Sequence, residues 1–181
     1  MLIKAHQSCL LVIDIQEKLM AALPDRERVI ANSAWLIQIA QELQLPVLAS
    51  EQYPRGLGPI VPAVRQWLPA GVLMEKTHFA CTAEPACRER MEAIDRQQWI
   101  LVGAEAHVCV LQTALGLLET GREVYVVADA VASRRLEDAE LALARLRADG
   151  ARVVTREMVA FEWLRQAGTD QFRDISRRFL R

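Results

Sequence analysis

The chain has 181 residues, of which 52% are hydrophobic and 25% charged, and its 22 Lys and Arg nearly cancel its 23 Asp and Glu to leave a formal net charge of −1. That length suits one domain able to bury a core without disulfides, and charge so evenly balanced, with no basic stripe, gives no reason to expect a nucleic-acid partner. The apolar runs are too short to span a bilayer, and the N-terminus opens on a strand pattern and not a signal peptide, so the cytoplasm is the expected setting.

Cys9 to Asp14 is an apolar run closed by an acid; a run without alternation predicts a strand covered on both faces. Asp25 to Leu43 follows with helical spacing, Val29, Ile30, Ala34, Ile37, Ala40 and Leu43 sharing a broad face. Pro46 to Ser50 is a second strand, and Glu51 to Pro62, rich in proline and glycine, is expected to be loop and turns. Val72 to Glu75 is a third strand. Glu84 to Ile94 reads as a helix with Thr82 as its N-cap. A fourth strand, Trp99 to Gly103, leads into a helix over His107 to Glu119, with Gly121 at a C-cap position. A fifth strand (Glu123 to Ala128), a helix (Leu136 to Ala148), a sixth strand (Ala151 to Thr155) and a last helix (Met158 to Gln166) complete the alternation. The polar, basic stretch Asp170 to Arg181 reads as a loose tail or an arm for a partner subunit.

This βα alternation predicts a single three-layer α/β domain over residues 1–181: a six-stranded parallel sheet in the order 3-2-1-4-5-6 with helices on both faces. Ligands of such folds bind at the carboxyl ends of the strands. Three strand ends here carry reactive groups. Asp14 closes the first, Lys76 follows the third and Cys109 comes soon after the fourth. Strands one and four would be neighbours about 4.8 Å apart, and strand three about 10 Å from strand one. Lysine is long enough to reach back over that gap. A cysteine in the first turn of a helix feels the positive end of the dipole, and a nearby ammonium pushes the same way. Together they predict a thiol acidified about a hundredfold.

Leu11-Val12-Ile13-Asp14-Ile15-Gln16, Glu75-Lys76-Thr77-His78-Phe79 and Gly103 to Leu111 together resemble, in order along the chain, the three motifs of the isochorismatase-like cysteine hydrolases. Ser50 to Gly58 resembles an uncharacterised branch of that family. The resemblance implies Asp14, Lys76 and Cys109 as a catalytic triad, a cis peptide at Ala104–Glu105, and an oxyanion hole made by the backbone amides of Glu105 and Cys109. It also implies hydrolysis of a small amide or related C–N compound through a thioester, with no cofactor, in a dimer or larger homo-oligomer. The histidines that bind metal in nicotinamidases of this family have no counterpart, since none lies between His6 and His78; no metal is expected.

Gln16, Tyr53, Phe79 and His107 fall where they can line a substrate pocket, with ordinary packing as the alternative for each. Glu105 can face substrate or form an outward salt bridge. His6 and His78 lack zinc spacing. Gly56 and Gly58 look like turn glycines. The four cysteines read as thiols, not a disulfide framework; Cys9 reads as core, and Cys81 and Cys87 are not a metal hook. Trp163, Leu164 and Phe172 offer an apolar surface for a partner copy. Two other classes compete: a small-molecule-binding or regulatory domain without turnover, and a thiol redox protein, which needs a resolving cysteine such as Cys81 brought close to Cys109.

Overall fold

A computed structural model describes residues 1–180. Its strands are β1 (Ser8–Ile13), β2 (Val47–Gln52), β3 (Leu73–Lys76), β4 (Gln98–Ala104), β5 (Glu123–Ala132) and β6 (Arg152–Val154). They form one parallel sheet in the order β3-β2-β1-β4-β5-β6, as the alternation predicts. Every residue of β1, β2 and β4 is buried, because both faces of the sheet are covered.

Three helices cover one face: α2 (Arg26–Glu42), α8 (Arg156–Leu164) and α9 (Asp170–Phe179). Leu10 and Val12 of β1 join Leu36, Ile37 and Val159 in that layer. The other face packs against α5 (Pro85–Glu92), α6 (Leu111–Glu119) and α7 (Leu136–Ala148), where Cys9, Leu11 and Ile13 meet Met91, Val110, Leu117 and Leu146. Successive strand side chains point to opposite layers, so each apolar run feeds two cores.

Several local expectations are corrected. Between β1 and β3 the chain forms three short helices, α1 (Glu17–Ala21), α3 (Pro54–Leu57) and α4 (Pro62–Arg65). Two start on proline, whose fixed φ suits a first helical position. Thr82 does not cap α5: Glu84 holds that position, with Pro85 next, and Thr82 sits in the 3-10 turn Cys81–Ala83. β5 runs on to Ala132, past an irregularity in its pairing with β4. The C-terminal stretch is neither loose nor an arm reaching away. It is α9, with Ile175 buried and the Phe179 carbonyl accepting from Trp35 Nε1 of α2 at 2.8 Å; Arg181 lies outside the described residues. Trp163 is spent in its own core, donating to Ser8 Oγ at 3.0 Å, and does not serve a partner copy.

Candidate active site

The site is built where β1, β2, β3 and β4 end together. Asp14 follows β1 with a left-handed backbone (φ 50), a conformation that aspartate tolerates better than most side chains. Its side chain and that of Lys76, the last residue of β3, are fully buried, and Lys76 Nζ donates to Asp14 Oδ2 at 2.7 Å. Ser50 of β2 donates its hydroxyl to the other oxygen, Oδ1, at 2.7 Å. Lys76 also donates to Gln52 Oε1 at 2.6 Å. A buried pair of this kind is strongly destabilised when one member is removed, by about 3–5 kcal/mol, because the survivor is left uncompensated.

Cys109 completes the cluster. It is 5% exposed, and its Sγ lies 4.0 Å from Gln52 Oε1, a long and weak contact. Its setting differs from the expectation in two respects. The cysteine sits in a π-helical turn, Ala106–Val110, ahead of α6 and not in the first turn of an α-helix. Its pKa is raised, not lowered: burial is the chief cause and the negative charge of Asp14 the second, and the opposing pull of Lys76 does not overcome them. The resting sulfur is therefore a protonated thiol. Lys76 remains an ammonium; burial pulls its pKa down, but Asp14, with smaller contributions from Cys81 and Cys109, lifts it above its usual value.

Cys81 is also drawn to the site. It is wholly buried, its N–H donates to Thr113 Oγ1 of α6 at 3.0 Å, and burial followed by the charge of Asp14 raises its pKa. All four cysteines are free thiols.

The Ala104–Glu105 peptide bond is cis. Glu105 is buried, its carboxylate accepting from Arg134 Nε at 2.8 Å and from Arg134 N at 3.2 Å. His107 Nδ1 lies 2.8 Å from Ser133 Oγ. Gln16 is buried and its amide is fully occupied: Nε2 donates to the carbonyls of Gln52 and Gly58, while Oε1 accepts from Gln52 N. It ties the end of β2 to the turn at Gly58. Tyr53 and Phe79, 55% and 53% exposed, stand on the loops after β2 and β3. Tyr53 and Lys76 help to line a hollow of about 310 Å³ with Pro54, Arg55, Thr77 and Glu84. A larger hollow of about 670 Å³ lies between α5 and α6, lined by Arg88, Met91 and Trp99 among others, and the triad contributes nothing to it; reactive groups, not volume, mark the site.

The loop after β3 is pinned by Glu84. One carboxylate oxygen accepts from Thr77 N at 2.9 Å and lies 3.0 Å from His78 Nδ1, and these bonds, the Thr77 amide first, draw the Glu84 pKa down to about 2. Among the described residues, no group of three or more His, Cys, Asp or Glu side chains is arranged to hold a metal ion, and no helix is long and apolar enough to cross a membrane.

Ser50 and Gln52 escaped the sequence reading as site residues. The signal was their place at the end of β2: in the order 3-2-1, that strand separates Asp14 from Lys76, so its last side chains must lie between them.

A family model of the isochorismatase domain matches residues 8–158. The chain belongs to the isochorismatase family. It is 40% identical over 171 residues to isochorismatase domain-containing protein 2 of Danio rerio, covering 94% of this chain and 85% of that protein. Among solved structures, the MAR1 ribonuclease of Caenorhabditis elegans superposes with a TM-score of 0.92 at 35% identity, covering 100% of this chain and 93% of that one. The YcaC gene product of Escherichia coli, described as an octameric hydrolase of unknown specificity, gives a TM-score of 0.87 at 24% identity, covering 91% and 83%; that likeness shows the fold alone. The fold is that of the isochorismatase-family hydrolases, and Asp14, Lys76 and Cys109 all fall within the matched span.

Proposed function

We propose that this isochorismatase-family chain is a cysteine-dependent hydrolase of a small amide or related C–N compound, working through a thioester at Cys109. One observation carries the reading: a thiol, a carboxylate and an ammonium from three separate strand ends share one dry cluster, with Lys76 Nζ 2.7 Å from Asp14.

Because the resting thiol is protonated, the nucleophile is made only as it is used. Sulfur attacks the carbonyl carbon while Asp14 takes the thiol proton, and the carbonyl electrons move onto oxygen. The resemblance to the family assigns that oxyanion to the Glu105 and Cys109 N–H groups, the first capping and the second within the turn that carries the sulfur. The C–N bond then breaks and the leaving nitrogen takes the proton back from Asp14. Water, deprotonated by Asp14, releases the acid and restores the thiol. Lys76 offsets the Asp14 charge throughout. Tyr53, Phe79 and His107 are assigned to the pocket rim.

A small neutral substrate suits the cluster better than a polynucleotide. The C. elegans relative is named a ribonuclease, but affinity for a polyanion grows with the number of phosphates neutralised. This chain has 22 basic against 23 acidic residues, and a sulfur only 5% exposed. A cytoplasmic setting, where thiols stay reduced, suits four free cysteines.

The test is a panel of small amides with ammonia or amine release as the readout and intact-protein mass spectrometry to catch the acyl adduct. An adduct on Cys109, with turnover abolished in Cys109→Ala, is expected. Full turnover in Cys109→Ala refutes the reading, and no turnover or adduct on any amide favours a binding domain instead.

A further inference from the structure

We propose that Gln52 is a positioning residue that holds the Lys76 ammonium so that Asp14 stays open to the Cys109 proton; this rests on the hydrolase reading above. Gln52 is buried at the end of β2 and bonded at every polar atom. Its backbone N–H donates to Gln16 Oε1 at 2.7 Å and its carbonyl accepts from Gln16 Nε2 at 3.0 Å. Its side-chain Nε2 donates to the Thr77 carbonyl at 2.8 Å.

That last bond fixes which way the amide faces. With Nε2 committed to Thr77, Oε1 must face the cluster, where it accepts from Lys76 Nζ at 2.6 Å and lies 4.0 Å from Cys109 Sγ. The reverse orientation would set an NH2 against an ammonium, donor against donor.

The consequence falls on Asp14. Its Oδ1 already accepts from Ser50 and its Oδ2 from Lys76. An ammonium has three N–H donors and a mobile stem. Without a second acceptor it would settle wholly on the buried carboxylate, covering its lone pairs and weakening it as a base. Gln52 draws one donor away, so a lone pair remains for the thiol. The oxygen must also be uncharged: an anion there would be a third charge in the cluster and would raise the thiol pKa further.

The experiment uses the full chain and follows the second-order rate of Cys109 alkylation by iodoacetamide from pH 6 to 9. Base assistance from Asp14 gives the unmodified chain a plateau, because the thiol proton leaves within the alkylation step and not in a prior ionisation. Gln52→Met keeps the length and removes the acceptor. It is expected to slow alkylation at pH 7 by about tenfold or more and to turn the plateau into a rate that climbs with pH, as for an unassisted thiol. In a Lys76→Met background the same substitution is expected to change nothing further, since Gln52 acts through the lysine.

A flat profile at the unmodified rate in Gln52→Met, or the same loss in both backgrounds, overturns the proposal. Should Lys76→Met not fold, as judged by circular dichroism, Gln52→Asn replaces that arm. It keeps the amide but withdraws the oxygen by one methylene; a slowed, pH-dependent rate supports positioning and an unaltered plateau refutes it. Failure of the hydrolase reading looks different: the unmodified chain would then show no plateau that depends on Asp14.

Discussion

Gly103 lies so close to Ile13 that a Cβ built on it would fall 1.9 Å from the Ile13 carbonyl oxygen. The two are register partners on β4 and β1, and Gly103 has φ 123, a region side chains avoid. Asp14 follows Ile13 directly, so the contact sets where the carboxylate leaves the sheet. Gly103→Ala must push backbone against backbone with no flexible atom to yield. A loss of about 3 kcal/mol or more is expected, read from the urea midpoint at unchanged slope. A loss below about 1 kcal/mol contradicts it.

Lys76→Met removes the only charge that hydrogen bonds to Asp14 among the described residues. The expected cost is about 3–5 kcal/mol at neutral pH. Exposed pairs such as Arg88–Glu92 give a control, where Arg88→Ala is expected to cost under about 1 kcal/mol. Equal effects of the two substitutions in urea unfolding would mean that the lysine is not paired in a dry interior.

Stability should fall on the alkaline side. Burial pushes the Cys9 and Cys87 thiols up to about 12 and raises Cys81 and Cys109 from the same ordinary value of 9.0. Raised groups hold their protons in the folded state after the unfolded chain has lost them. Their contribution is complete below about pH 9 and is lost as pH climbs toward the folded values, by up to about 1.4 kcal/mol per pH unit for each thiol. Lys76, raised above 10.5, acts in the same direction beyond that pH. Urea unfolding from pH 7 to 11 should show a steady decline above pH 9, and a Cys9→Ala variant a shallower one. Stability that is level across pH 9 to 11 contradicts the assignment.

Assembly has a direct readout. Leu136 and Leu141 on α7, with Met158 and Phe161 on α8, leave large apolar side chains in solvent, the kind of surface that a second copy would cover. Light scattering is expected to give a multiple of 20.4 kDa; a single-chain mass at micromolar concentration contradicts it.

The strands, their order and the three reactive positions were legible because each rests on a local pattern. An unbroken run such as Leu10–Ile13 needs cover on both sides, and the βα alternation then fixes which strand ends meet. That Lys76 could meet Asp14 was readable from its place after the third strand and its reach; its role was implied by the resemblance. The helices α1, α3 and α4 were not, being too short to show a helical period. Ile175 and Phe179, which seat α9 on the core beside α2, and Phe172, which meets Phe161 of α8, were present but lay among arginines. The state of the Cys109 thiol could not be read from position. A helix start and a nearby lysine predict acidification, whereas depth of burial and the Asp14 charge, both products of the tertiary fold, reverse it. Ser50 and Gln52 carry no motif of their own; their meaning comes from the strands on either side.

The most direct measurement is competitive labelling of the native chain with limiting iodoacetamide, sites located by peptide mass spectrometry, alone and as Asp14→Asn. Cys109 should take the label ahead of Cys9, Cys81 and Cys87, at a rate level from pH 6 to 9, and lose that lead when the carboxylate becomes an amide. Even labelling of all four cysteines, or a Cys109 lead untouched by Asp14→Asn, would show that the sulfur has no proton acceptor at its side.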